Sequence, residues 1–71
     1  MIAVGIKVDG NTTNWYKAHS LNRRPDGSMC VFGLDDQRTT YTVPARLFAG
    51  VMSNTLDYNG QEHPDISEAK L

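Results

Sequence analysis

Cysteine is nearly absent from this chain: 71 residues hold one, Cys30. No intramolecular disulfide can staple the fold, although a domain this short buries only about 60% of its unfolded surface. A single unpaired thiol fits a reducing compartment. Cys30 lies within Met29-Cys30-Val31-Phe32, where a sulfhydryl packs as a small hydrophobe and does not act as a nucleophile. Histidine is scarce too. His19 and His63 stand far apart with no acid or thiol at ligand spacing, short of the three or four ligands a zinc site needs. The acids offer no catalytic pair, because Asp35 and Asp36 are adjacent: in a strand they face opposite sides, and in a turn they cap it. No apolar run approaches the roughly 20 residues of a membrane span. Asn11-Thr12-Thr13 matches a glycosylation acceptor, but no leader-like stretch precedes it and it is set aside. A soluble, cytoplasmic, single-domain protein with no cofactor and no metal is expected.

An excess of one charge is also missing. Seven Lys and Arg against eight Asp and Glu leave a net charge of −1, less cationic than binding to a phosphate backbone usually demands. The distribution is uneven. Residues 1–50 carry Lys7, Lys17, Arg23, Arg24, Arg38 and Arg46 against four acids, whereas residues 51–71 carry Lys70 against Asp57, Glu62, Asp65 and Glu68. An acidic C-terminal stretch keeps a small protein soluble, and it is also suited to screen or occupy a basic face.

Short β-prone runs separated by turn residues make up what remains. Ile2, Val4, Ile6 and Val8 alternate with Ala3, Gly5 and Lys7, a period-2 pattern with one wholly β-branched face, and Asp9-Gly10-Asn11 ends it. Trp15 to Leu21 reads as a second strand with Tyr16 and Ala18 inward and Trp15, Lys17, His19 and Leu21 on the other face. Arg23-Arg24-Pro25-Asp26-Gly27 closes a hairpin, since proline presets φ, aspartate caps the turn and glycine takes the left-handed position. Ser28 to Leu34 is apolar on both faces, as a central strand would be, and Gly33 permits a bend there. Arg38 to Val43 follows the Asp35-Asp36-Gln37 turn and sets Thr39, Tyr41 and Val43 inward. Pro44 stops it, so Pro44-Ala45-Arg46-Leu47 reads as a 3₁₀ turn before a closing strand, Phe48 to Met52. From Ser53 onward the pattern fails. Residues 53–71 are expected to form an acidic polar tail, with either a helical turn near Ile66 or order only on a partner.

The order of these elements resembles a Tudor domain or a related SH3-like barrel. Trp15-Tyr16-Lys17-Ala18 is similar to the segment that opens the family's second strand. Val31-Phe32-Gly33-Leu34-Asp35-Asp36 resembles its aromatic-acidic turn in outline, and Val43-Pro44-Ala45-Arg46-Leu47 resembles its 3₁₀ turn. The resemblance covers about two thirds of the chain. It implies an all-β fold, a five-stranded, strongly bent antiparallel barrel over residues 1–52, and a role in binding. Tudor readers hold methylated lysine or arginine in an aromatic cage. Trp15 or Tyr16 would supply one wall here and Asp36 the acidic partner, but Leu34 and Arg38 stand where the family places aromatics. Plasmid-type dihydrofolate reductases are also short SH3-like barrels; Thr39-Thr40-Tyr41-Thr42 lacks the glutamine and isoleucine of their catalytic strand. An enzyme is not expected.

The function expected from these residues is a non-catalytic module that engages a protein surface through an aromatic-basic patch of Trp15, Tyr16, Lys17, Arg23, Arg24, Arg38 and Tyr41, the residue types that dominate interface hot spots. Small size and the lack of a catalytic motif also suit a phage or mobile-element product that inhibits a host machine. The alternative is a single-stranded RNA or DNA binder, with Trp15 stacking on a base beside Lys17, His19, Arg23 and Arg24. A methyl-lysine or methyl-arginine reader ranks after both. Open sheet edges allow a homodimer.

Overall fold

In the computed structural model, which describes residues 1–35 and 38–70, six strands form two three-stranded antiparallel sheets. β1 (Ile2–Lys7) is the centre of the first, flanked by β2 (Thr13–Ala18) and β6 (Phe48–Met52); β4 (Met29–Phe32) is the centre of the second, flanked by β3 (Ser20–Arg23) and β5 (Thr40–Val43). The all-β class agrees with the sequence patterns. The count of five strands and the closed barrel do not, because the strand expected over Trp15 to Leu21 is two strands. It breaks at His19, whose N–H donates to the Phe32 carbonyl at 2.9 Å, and its halves pair with different sheets. Among the described residues no helix is long and apolar enough to cross a membrane.

That break also shifts the inward phase. Ala18 is fully buried and Tyr16 packs on the core, as alternation from Trp15 predicts. Leu21 packs on the core as well, although it was expected on the face of Trp15 and Lys17. An irregular residue between paired segments moves every later side chain by one position, so Leu21 turns inward. In the second sheet Leu21, Val31 and Tyr41 form one cross-strand row, and Arg23, Met29 and Val43 the next. Val31, Met29 and Val43 are buried there, while Cys30 and Phe32 face the other way and are half-buried. Thr39, expected inward, is exposed. The turn residues Asp36 and Gln37 lie outside the described residues.

Val4, Ile6, Ala18, Met29, Val31, Val43 and Ile66 make up the core between the sheets. The C-terminal segment is therefore part of the packed structure. Lys17 N–H donates to the Pro64 carbonyl at 2.8 Å, and Asp65 forms a parallel bridge with Lys17, which sets residues 64–65 along the free edge of β2. The chain then turns inward through a single 3₁₀ turn, Ile66–Glu68. A capping box holds that turn: Asp65 Oδ1 accepts from Ser67 N–H at 2.9 Å and Glu68 Oε2 from Asp65 N–H at 3.2 Å. Ile66 is fully buried, and burying an isoleucine side chain is worth about 1.5–3 kcal/mol.

Two outcomes follow for stability. Ile66→Ala should cost about 2–4 kcal/mol. Because a chain this small is held by only a few kcal/mol, the variant should be largely unfolded in a urea titration followed by circular dichroism; an unchanged midpoint would show that residues 53–70 add nothing to the cooperative core. Asp26 supplies the second. Its carboxylate accepts from Ser28 Oγ at 2.7 Å and from Ser28 N–H at 2.8 Å, and these bonds hold its pKa below the ordinary aspartate value. The stabilisation is then complete above pH about 4 and is lost as pH falls through the lowered pKa. The urea midpoints of the parent and of Asp26→Asn should differ at pH 6 and converge at pH 2–3.

Candidate functional site

Adjacent residues of a strand point to opposite faces, and Trp15 and Tyr16 do so here. Tyr16 turns toward the core side and lines an open groove of about 500 Å³ with Ile6, Val8, Leu47, Lys7 and Lys70, its hydroxyl accepting from Asn14 Nδ2 at 3.4 Å. Trp15 lies on the outer face of the first sheet. In the register it stands beside Gly5 of β1, which in turn stands beside Gly50 of β6. The indole occupies the space that side chains would take at these glycines. A Cβ built on Gly5 would lie 2.9, 3.0 and 3.1 Å from three of its ring carbons, and one on Gly50 would lie 3.9 Å from Cη2. The ring is seated against backbone, so its orientation is set by the sheet.

Residues 52–63 frame the other side of Trp15. Leu56 and Glu62 form an antiparallel bridge, and the turn between them is tied by Asp57 N–H to the Gln61 carbonyl at 2.8 Å and by Gly60 N–H to the Asp57 carbonyl at 3.0 Å. Asp57 Oδ1 accepts from Asn59 N–H at 2.8 Å and from Gln61 N–H at 3.0 Å, and Gly60 takes φ +81°. This bonded turn presents Tyr58 at 97% exposure, with Leu56 at 42% and Met52 at 40%. These three side chains, together with Trp15, Asn54, Asp57 and His63, line a shallow groove of about 340 Å³. His63 Nε2 is buried with no hydrogen-bond partner among the described residues, a polar atom whose burial is uncompensated in the groove wall.

The remaining residues of the expected patch are dispersed. Lys17 Nζ donates to Glu62 Oε2 at 2.7 Å; that bond raises the lysine's pKa and commits its charge to the C-terminal segment. Arg23 ends β3 and Arg24 begins the tight turn, where its N–H donates to the Ser28 carbonyl at 2.8 Å; both are exposed. Arg38 is exposed just ahead of β5. Tyr41 packs on the core, and its ring passes within 3.3 Å of where a Gly33 Cβ would be, so Gly33 makes room for an aromatic ring. Trp15 shares its groove with three large exposed apolar side chains, Met52, Leu56 and Tyr58, whereas Tyr16 shares the other groove with one, Val8. Met52, Leu56, Asp57, Tyr58 and His63 were not anticipated as site residues. Their signal was the Asn59-Gly60 dipeptide, a hairpin marker, between Tyr58 and Glu62.

Comparison with known proteins finds no matching family model, no similar curated protein and no similar solved structure.

The seat of the indole can be tested. Gly5→Ala forces the ring away from β1 and should lower stability by about 1–3 kcal/mol, the usual range for overpacking. Trp15 is the sole tryptophan, so its emission should shift at the same time; unchanged emission and midpoint would place the ring elsewhere.

Proposed function

We propose that the chain is a non-catalytic binding module that engages a protein surface through the Trp15 face. The observation that carries this reading is the concentration of large exposed apolar side chains in one place: Tyr58, Leu56 and Met52 stand around the half-buried Trp15, on a turn fixed by its own hydrogen bonds. Exposed aromatics with little conformational freedom are what interfaces use as anchors, since ordering them on binding costs little entropy. An exposed residue such as Tyr58 contributes little to folding, which leaves recognition as the account of its placement. The resemblance to Tudor and SH3-like barrels supports binding over catalysis by analogy of fold alone. A small protein that occupies a surface on a larger host machine fits this reading.

The nucleic-acid reading rests on Arg23 and Arg24, which are exposed at one hairpin. Lys17, the cation nearest Trp15 in sequence, is paired with Glu62, and the acidic segment borders the indole. Phosphate would meet unfavourable charge there. The methyl-reader reading called on Trp15 or Tyr16 with Asp36, and Asp36 lies outside the described residues.

The experiment is a pull-down from source-cell lysate, with and without nuclease, using the parent, Tyr58→Ala and the double variant Arg23→Glu/Arg24→Glu. A stoichiometric protein should survive nuclease, persist with the arginine variant and fall at least tenfold with Tyr58→Ala, whose fold should stay within about 0.5 kcal/mol of the parent. Loss with the arginine variant and with nuclease would transfer the assignment to nucleic acid.

A further inference from the structure

The groove beside Trp15 has one charged wall, and that wall selects the chemistry of what enters it. Among its lining residues there is no lysine or arginine, and Asp57 supplies the carboxylate. Asp57 is half-buried. Its Oδ1 is used by the Asn59 and Gln61 N–H groups, and Oδ2 takes no hydrogen bond from the described residues. Glu62, the nearest acid along the hairpin, is already neutralised by Lys17 at 2.7 Å, so among the described residues Asp57 is the acid that lines the groove without an ion-pair partner, beside His63. Two aromatic residues, Trp15 and Tyr58, line the same groove.

An apolar partner side chain seated here would strip water from Oδ2 and leave a desolvated carboxylate without a donor. An anion would meet it at close range. A cation satisfies both features at once: it donates to Oδ2, and the ring quadrupoles attract it. We infer that the groove receives a basic side chain, a guanidinium or an ammonium, projecting from a segment of a protein partner. The inference rests on the protein-binding reading above and names the chemistry of the residue that docks. Arginine suits the site best, because its planar fork can stack on an indole while donating to a carboxylate edge.

Trp15 is the sole tryptophan, so its indole N–H gives a single assigned resonance from a residue of the groove. The probes are capped pentapeptides, acetyl-Gly-Ser-Xaa-Ser-Gly-amide, with Xaa arginine, norleucine or glutamate, titrated at low salt and at 0.5 M salt. The arginine peptide should shift the Trp15 resonance saturably and bind at least fivefold tighter than the norleucine peptide; the glutamate peptide should leave it unmoved. Asp57→Asn keeps an Oδ1 for the two turn N–H groups and removes the charge, so the Tyr58 and Gly60 amide resonances should hold while arginine-peptide affinity falls about five- to tenfold. Added salt should weaken the parent and leave the variant little changed. Equal binding of norleucine and arginine, no shift with any peptide, no effect of Asp57→Asn, or a Trp15 shift with an oligothymidylate in place of the arginine peptide would each overturn the inference. Failure here is separable from failure of the protein-binding reading: a captured partner that Tyr58→Ala releases, but Asp57→Asn and excess arginine peptide do not, would retain the interface and reject the cation.

Discussion

Ile66 enters the core between the two sheets from near the far end of the chain, and the path of residues 53–70 follows from that one side chain. The segment has few other apolar residues, and an isolated 3₁₀ turn has little stability of its own. Burial of Ile66 in the core cluster that includes Val4, Ile6 and Ala18, together with the bond from Lys17 N–H to the Pro64 carbonyl, draws the chain across the free edge of β2. Two consequences come from the same contact. Part of an exposed sheet edge is covered, which removes unpaired backbone groups that would otherwise invite association. The turn carrying Tyr58 is also brought to the outer face, beside Trp15.

A second constraint is set by glycine. Gly5 and Gly50 leave no side chains on the strands next to Trp15, so the indole is seated against the sheet at 2.9–3.1 Å from where a Gly5 Cβ would lie. A ring held in this way contributes to the outer surface without rotating away, and hot-spot residues are effective when their freedom is already spent in the unbound protein. Core and outer surface are therefore joined at β2: its inward residues, Tyr16 and Ala18, pack on the core, and its outward residues, Trp15 and Lys17, organise the surface.

The charge distribution acquires a physical role through this path. The acidic segment runs along the free edge of β2, and Glu62 neutralises Lys17 there. One cation of the expected basic patch is consumed within the chain, and Asp57 is the acid that lines the groove beside the indole. The surface near Trp15 is accordingly apolar with an acidic wall, whereas Arg23 and Arg24 project from a separate hairpin. Coulomb interactions between exposed groups are screened beyond roughly 10 Å, so such local arrangement governs recognition more than the net charge of −1 does.

Strand content was legible in the sequence. Period-2 alternation in Ile2–Lys7, the Pro25-Asp26-Gly27 turn, the apolar Met29–Phe32 run and the stop at Pro44 each express a local preference, and each has its counterpart in the structure. The inward direction of Tyr16 and Ala18 was readable for the same reason, since it depends only on alternation. The break at His19 was not readable, because Trp15 to Leu21 is an uninterrupted strand by composition; only pairing with two different sheets divides it and turns Leu21 inward. The grouping of Trp15 with Tyr58, Leu56 and Asp57 lay further out of reach. It depends on where one isoleucine finds a core, and a lone apolar residue in a polar stretch gives no periodicity from which to infer its burial. Local backbone preference is written along the chain, but contacts between distant segments are decided by the shape of the cavity that the rest of the fold leaves open.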